Sequence, residues 1–388
     1  MTAQKRGRFR LAKRAVWIFA FSLILCGFMT IFAAAEAEEI YREQWEESGA
    51  EEWLSSLPDG TKDLLSQLEI DGSSMSSITT LHPKTTAEFL ISVADEEKTV
   101  PLSVSGVLLG VLLLCSLLNG LQKLPQEETL STTYKTMGVL AVCTALFLPL
   151  CDCMRRATAA MDGAFVFMSS FVPVYAGVLV SSGNPSAALS FQSVVLFVAE
   201  AMTAVLSGAI TPLLTVSLGL GAAGGIDNTF PLCSVSRFLN RLCTWTLGFF
   251  CTIFVGMLSL QTLVGTRADG VSIRAVRFSL ANLVPVIGNA VSEAFGTVQN
   301  CLIVLRTTLG GIGVIVTGIL LLPSLAECGW WALLLSLCAA VAETLAFPTL
   351  SGLLKLSADV VKTLAGILVC GGLFLIISIT VVTLAAGG

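Results

Sequence analysis

The sequence predicts an all-α, polytopic helical membrane protein, with an export signal and a small acidic region preceding the membrane part. Of its 388 residues, 54% are hydrophobic and 13% are charged, whereas soluble domains carry roughly 25% charged residues. The mean hydropathy is +0.84, and apolar runs long enough to cross a bilayer recur from residue 100 to the end. The composition therefore indicates a membrane protein rather than a soluble globular domain.

Charge is segregated along the chain. Residues 1–14 carry six basic residues and no acidic one, while residues 36–98 carry four basic and sixteen acidic residues, a net charge of −12. From Val100 onward, twelve basic residues nearly balance eleven acidic ones. No soluble element combines a basic patch with aromatic residues, so the sequence offers no nucleic-acid-binding face.

Residues 1–35 have the pattern of a signal peptide. The basic start is followed by the apolar run Trp17–Phe32 and by Ala33-Ala34-Ala35. This order is typical of a cleavable signal, with an uncleaved signal anchor as the alternative. In either case residues 36–99 are expected outside the cytoplasm, as a small acidic helical region. Some sixty residues provide little core, so we expect this region to fold weakly unless a partner orders it.

Residues 100–388 form the predicted membrane domain, with about 7–8 membrane segments. A turn is predicted at Gly183-Asn184-Pro185, a helix break in the glycine-rich stretch Leu218–Gly225, and a short amphipathic connector at Leu353–Lys362. The predicted spans are Val100–Leu121, Thr136–Leu150, Ala164–Ser182, one or two crossings within Ala187–Gly225, Leu242–Val264, the hairpin of Thr307–Leu325 with Gly329–Phe347, and Thr363–Leu384.

Residues 265–306 form a predicted amphipathic or re-entrant segment. Arg267, Arg274 and Arg277 fall within an arc of about 80° on one side of a helix, which Gly270 and Pro285 are expected to interrupt. Two interpretations are open: a connector whose arginines reach lipid phosphates, or a helix folded back into a protein-lined cavity. With a single crossing in Ala187–Gly225, the positive-inside rule puts this segment in the cytoplasm and the C-terminus outside.

The search for catalytic or metal sites is negative. The sequence has no phosphate-binding GxxxxGK[ST] loop, no HExxH motif and a single histidine. None of the twelve cysteines lies in the acidic region, so a disulfide framework is not expected. Carboxylates within apolar segments are candidate functional residues, with helix contacts as the alternative role. They are Glu200, Glu293 and Glu343.

One resemblance is specific. Asp269–Arg274, then Phe278, Asn282 and Pro285–Gly288, followed by Leu309–Val314, resemble the central stretch of the stage III sporulation protein AE family. The resemblance extends to the order of signal, acidic region and apolar segments. It implies a mother-cell membrane component of the complex that joins mother cell and forespore during endospore formation.

The resemblance implies a non-enzymatic membrane subunit of a channel or secretion-like complex, without catalytic residues, cofactor or metal. The implied partners are a ring-forming protein, a cytoplasmic ATPase and a forespore-side protein, in a homo- or hetero-oligomer within the lipid bilayer. Residues 36–99 would then face the space between the two membranes. A stand-alone permease for a small solute or ion is the alternative function.

Overall fold

The computed structural model describes residues 44–55, 62, 91–121, 128–226, 232–283 and 288–385. Side chains in these ranges are described except at 118–121, 128–135, 207, 226, 258–283, 288–301 and 384–385. All regular structure among the described residues is helical, which confirms the predicted class. The signal region 1–35 and most of the acidic region lie outside the described residues.

Eight α-helices follow one another along the described chain. A short π-helical turn, Leu206–Ile210, connects the fourth to the fifth, so that the two continue as one rod. The helices are α1 (Ala50–Ser55), α2 (Thr99–Leu121), α3 (Glu128–Ser181), α4 (Pro185–Val205), α5 (Thr211–Ile226), α6 (Leu232–Leu283), α7 (Gly288–Thr344) and α8 (Pro348–Ala385).

Six stretches of the described residues are long and apolar enough to cross a membrane. Four of them contain between 36 and 46 residues, which corresponds to about 54–69 Å of helix. The hydrocarbon core of a bilayer is only about 30 Å thick. The six stretches are Ile91–Leu117, Thr136–Ser181, Pro185–Gly225, Leu232–Met257, Leu302–Thr344 and Pro348–Thr383.

The prediction of separate short spans was wrong in three places. The predicted spans Thr136–Leu150 and Ala164–Ser182 both belong to α3, and the predicted hairpin Thr307–Leu325 with Gly329–Phe347 is one helix, α7. The connector Leu353–Lys362 likewise continues into the last apolar run as α8. Where two predicted segments adjoin, the sequence becomes polar but contains no Gly–Pro or Asn–Gly dipeptide. Polar residues alone do not end a helix.

The predicted helix break at Leu218–Gly225 was also wrong, because α5 runs through it. Its glycines instead permit close packing between helices. A Cβ atom on Gly221 would lie 2.3 Å from Leu356 Cδ2, and one on Gly225 would lie 3.2 Å from Val139 Cγ1. Gly270, where an interruption was expected, is likewise inside the continuous helix α6. Pro285, the second expected interruption, lies outside the described residues.

The predicted turn at Gly183 is confirmed. Gly183 has φ +87°, and the amide of Asn184 donates to the carbonyl of Leu179 at 2.9 Å. This backbone pattern is a common helix C-terminus, for which glycine is suited because it has no Cβ atom. A similar turn joins α7 to α8 at Ala346, which has φ +61°.

Helices α7 and α8 pack along each other and form the centre of the bundle together with α3. Helix α2 lies against α3 and α7, whereas α6 lies against α4, α5 and α8. Over half of the apolar windows of α7 and α8 is buried inside the bundle, compared with 11% for α6. The outer helices α2 and α6 therefore present most of their apolar surface to the surroundings.

Replacing Gly313 by alanine is expected to destabilise the bundle by about 1–3 kcal/mol, the usual effect of overpacking. A Cβ atom at this position would lie 2.7 Å from Cζ of Phe171. Gly311 is two residues away and has nothing within 4 Å of its Cβ position, so Gly311→Ala is the matched control. Thermal unfolding in detergent measures both variants, and equal melting temperatures would contradict the packing of α3 on α7.

A disulfide joins Cys251 on α6 to Cys370 on α8, a pairing that was not expected from the sequence. Sequence spacing could not reveal the bond, because 119 residues separate its two cysteines. The bond connects an outer helix to a central one.

We expect Cys251→Ser to lower the apparent stability by about 2–4 kcal/mol, the typical contribution of a disulfide. Reductant should lower the stability of the unsubstituted protein by a similar amount and leave Cys251→Ser unchanged. Mass spectrometry of the alkylated, unreduced protein measures the bond directly. Alkylation of both Cys251 and Cys370 under these conditions would show that no bond forms.

Candidate functional site: polar clusters inside the helical bundle

The first polar cluster pairs Arg156 on α3 with Glu327 on α7. Arg156 Nε donates to Glu327 Oε2 at 2.9 Å, and a second guanidinium nitrogen contacts Oε1, so the pair is bidentate. The Glu327 side chain is only 3% exposed, whereas that of Arg156 is 52% exposed. A planar guanidinium matches a carboxylate in this way and lysine does not. The pair therefore holds α3 and α7 in one register.

Two tryptophans on α7 complete this cluster. Trp331 Nε1 donates to Glu327 Oε1 at 3.3 Å, which gives the buried carboxylate a further partner. Trp330 Nε1 donates to the carbonyl of Ala94 at 2.7 Å, just before α2 begins. The cluster thus connects three helices at a single level of the bundle.

A pair of thiols lies directly beside the ion pair. The Sγ atoms of Cys153 and Cys328 are 3.9 Å apart, and both residues are buried. Cys153 is the second cysteine of the Cys-Asp-Cys motif, which could suggest a soft-metal site. Among the described residues, no group of three or more His, Cys, Asp or Glu is placed to hold a metal ion.

The second polar cluster lies further along the bundle, where α3, α7 and α8 meet. Arg306 is 1% exposed and Tyr175 is fully buried. The Tyr175 hydroxyl lies 2.5 Å from Thr383 Oγ1, and the guanidinium and the phenol are close enough to interact electrostatically. Gly310 permits this contact, because a Cβ atom there would lie 2.6 Å from Thr383 Oγ1.

A row of aromatic rings leads from α1 to this second cluster. Trp53 packs on Phe167 and Phe171 with ring centroids 5.3 Å and 5.2 Å apart. Phe171 stacks on Tyr175, and Tyr175 meets Phe191 of α4 edge to face. Residues 44–55 of the acidic region are therefore packed against the helical bundle, with Trp45 also buried. The bundle itself is the partner that orders them.

Two of the carboxylates singled out from the sequence, Glu200 and Glu343, lie on the surface of this chain. Glu200 on α4 is exposed. Glu343, near the end of α7, lies 2.5 Å from Lys355 Nζ, with both side chains about half exposed or more. Arg267, Arg274 and Arg277 belong to α6 and Glu293 to α7. Their side chains lie outside the described part of the chain.

Sequence reasoning missed the residues that form both clusters. Arg156 and Glu327 were each taken to lie between two predicted spans, and Arg306 at the end of the amphipathic segment. One signal was available for such residues. It is a charged residue that lies between two apolar runs in a stretch whose helical pattern is not interrupted. Because buried charged groups are paired in proteins, this signal could have marked Arg156 and Glu327 as residues that need partners, but it could not have paired them with each other.

These clusters are suited to holding helices together and to polar contacts inside an apolar bundle. Charged residues at membrane depth commonly face the interior of a bundle and pair with one another. Arg156 and Glu327 pair with one another in the same way, with the carboxylate buried inside the bundle. The described clusters combine no nucleophile with a general base, and we assign them no catalytic step.

Comparison with known proteins supports the family resemblance that the sequence indicated. The model of the family "Stage III sporulation protein AE" matches residues 71–386. The stage III sporulation protein AE of Bacillus subtilis (strain 168) is 26% identical over 214 residues, which cover 54% of each chain. The matched region thus spans about half the length of this curated relative. No solved structure matches the chain. Because the family model covers most of its residues, including both polar clusters, the chain belongs to the stage III sporulation protein AE family.

Proposed function

We propose that this protein is a non-enzymatic membrane subunit of a channel or secretion-like complex that connects mother cell and forespore during endospore formation. Family membership supports a role in sporulation, and six apolar helices support a location in a membrane. The location would be the mother-cell membrane around the forespore, with residues 36–99 in the space between the two membranes.

The Arg156–Glu327 pair is the observation that carries the choice of a subunit over a permease. A permease working alone needs polar groups that face an interior path at membrane depth. Here the buried carboxylate of Glu327 is bonded to Arg156 and Trp331, and so is used for helix packing. Glu200 and Glu343 lie on the outer surface of the chain instead. Carboxylates at the surface do not line a path through the interior of the chain.

The proposed partners are a ring-forming protein and a forespore-side protein outside the membrane, and an ATPase in the cytoplasm. The chain would supply the membrane-embedded part and assemble with further subunits as a homo- or hetero-oligomer. Two outer helices, α2 and α6, expose large apolar residues that lipid or neighbouring subunits would cover. They include Leu113, Leu114, Leu117, Trp245, Phe249 and Val255.

Flux through liposomes tests the proposal. The protein purified alone, reconstituted in liposomes loaded with a small dye and an ion reporter, should give no flux above empty liposomes. Affinity purification from sporulating cells should recover the other complex members with it. Transport by the purified protein alone would overturn the subunit proposal in favour of a permease.

The basic residues of the amphipathic segment give a separate prediction. Arg274 lies in the middle of the family-like run, so we expect Arg274→Ala to abolish sporulation while Arg267→Ala has little effect. A buried arginine that loses its partner leaves an unpaired charge costing roughly 3–5 kcal/mol, whereas contact with a lipid phosphate contributes about 1 kcal/mol. Counts of heat-resistant spores measure the effect, with protein levels checked by immunoblot. Equal tolerance at normal levels would assign both arginines to the headgroup layer.

A further inference from the structure

The Arg156–Glu327 cluster lies in a band of charged residues that surrounds one level of the bundle. We call this band the collar. Arg155 is highly exposed and paired with Asp152, and Lys98 is paired with Asp95 at the start of α2. The hydrogen bond between Trp330 and Ala94 fixes the start of α2 at the same level. The collar residues are Asp95, Lys98, Asp152, Arg155, Arg156 and Glu327.

On one side of the collar, three helices have the length and surface that a bilayer requires. From Arg156 back to Met137, α3 covers 19 residues or about 28 Å, close to the hydrocarbon thickness of about 30 Å. Helix α2 and the end of α7 run beside it over a similar length. The large exposed side chains of this region are apolar: Val107, Leu113, Leu114, Leu140, Phe147, Leu148, Leu333 and Leu337.

On the other side of the collar, α3 continues to Ser181, and α4 runs back beside it from Pro185. The exposed surface of these two helices differs in composition from that of the first side. The exposed residues of this hairpin, 157–205, include Ser169, Ser170, Ser193 and Glu200 between scattered apolar ones. The serine hydroxyls donate to carbonyls of their own helices, but the exposed carboxylate of Glu200 would be costly in hydrocarbon. The hairpin surface therefore differs from the surface between Met137 and Arg156.

The acidic helix α1 gives independent evidence about this hairpin. Trp53 packs on Phe167 and Phe171, and Phe171 lies 15 residues, about 22 Å, beyond Arg156 along α3. On the outer face of α1, Glu51 and Glu52 are exposed, as are Glu46 and Glu47 just before it. Carboxylates placed in hydrocarbon cost several kcal/mol each. This face of α3 must therefore lie in water.

We propose that the collar marks the outer headgroup layer of the membrane and that the hairpin 157–205 projects beyond it, outside the cytoplasm, where α1 is seated on it. Arg155, which is paired with Asp152 but highly exposed, would also reach phospholipid phosphates at this level. Ala164–Ser182 would then not be a membrane span. The direction rests on the export signal in residues 1–35, which places the segment before α2 outside. The proposal does not depend on the function proposed above.

The opposite end of the bundle agrees with this direction. Helices α6 and α8 both begin there, and exposed basic residues gather near their starts, as expected for a cytoplasmic end. They are Arg237, Arg241, Lys355 and Lys362. Residue 270 lies 33 residues beyond Arg237 on the continuous helix α6, or about 50 Å. Residue 270 would therefore lie outside the cytoplasm, whereas the sequence analysis placed residues 265–306 inside it.

Single-cysteine labelling tests this arrangement. The full chain keeps the bonded Cys251 and Cys370, has its other cysteines replaced, and carries one new cysteine. We expect Ser170→Cys, Ser193→Cys and Gly270→Cys to react with a membrane-impermeant maleimide added to intact protoplasts of non-sporulating cells that express the chain in their cell membrane. Phe147→Cys, exposed on the same helix but within the apolar band, should react at least about tenfold more slowly, because hydrocarbon suppresses the reactive thiolate.

Two results would overturn the proposal. In the first, Ser170→Cys and Ser193→Cys react as slowly as Phe147→Cys in membranes but fully in detergent, which would put the hairpin in the bilayer. In the second, Gly270→Cys reacts only after the membrane is permeabilised. Hydroxyl-radical footprinting of the unsubstituted protein in nanodiscs tests the same point if substituted chains fail to fold. Peptides from 157–181 should be oxidised and those from 137–150 protected, and the reverse pattern would reject the proposal.

Discussion

Replacing Arg156 by leucine is expected to lower the free energy of unfolding by about 3 kcal/mol, because the substitution leaves a buried carboxylate without its charged partner. Glu327 is 3% exposed, and Arg156 provides two of its contacts. Arg156→Lys should recover only part of the loss, since an ammonium group cannot form the bidentate contact. Thermal unfolding in detergent, followed by tryptophan fluorescence, measures both variants.

Arg155→Leu is the matched control for this substitution. Arg155 is adjacent in sequence, its side chain is 79% exposed, and its partner Asp152 is also exposed. Such surface pairs contribute at most about 1 kcal/mol. The double variant Arg156→Leu with Glu327→Leu should regain most of the stability, because no buried charge is left. If Arg155→Leu and Arg156→Leu were equally stable, the ion pair would not hold α3 to α7.

Replacing Trp53 by alanine is expected to release residues 44–55 from the bundle. The Trp53 side chain is 4% exposed and packs between Phe167 and Phe171. Loss of a buried tryptophan costs about 3–5 kcal/mol, and a six-residue helix has few other contacts to compensate. A loss of about 3 kcal/mol raises the open population of the segment roughly 100-fold. Cleavage by proteinase K, added outside protoplasts of non-sporulating cells that express the chain in their cell membrane, should accelerate accordingly.

Ser55→Ala provides the control for the tryptophan substitution. Ser55 lies on the same helix, is exposed, and bonds only to the carbonyl of Glu52 within α1. Its replacement should leave the cleavage rate almost unchanged. Equal protection of Trp53→Ala and the unsubstituted protein would mean that the aromatic contacts do not hold the acidic segment on α3.

Both predictions concern the same helix, α3, at two levels of the bundle. Arg156 connects it to α7, and Phe167 and Phe171 connect it to the acidic segment. A disturbance of the collar should therefore leave the docking of α1 in place, because about 22 Å of helix separates Arg156 from Phe171. Measuring proteinase K cleavage of Arg156→Leu would show whether the two contacts are independent.

The sequence by itself determined the helical class, the apolar character of the chain and its family. Apolar runs separated by few charges can satisfy their backbone only as helices in a membrane, so composition was sufficient for the class. The run from Asp269 to Gly288 was sufficient for the family. The turn at Gly183-Asn184-Pro185 also followed from local chemistry, because glycine adopts positive φ and proline begins the next helix.

Only the tertiary structure decided where helices continue and which polar residues meet. Arg156 and Glu327 are 171 positions apart, Cys251 and Cys370 are 119 apart, and no local pattern pairs residues over such distances. By hydropathy alone, the polar residues 151–162 resemble a loop. They are helical in the structure, where a neighbouring helix supplies a partner for the charge of Arg156. Local sequence sets the propensity to form a helix, whereas the length and register of these helices depend on contacts between distant parts of the chain.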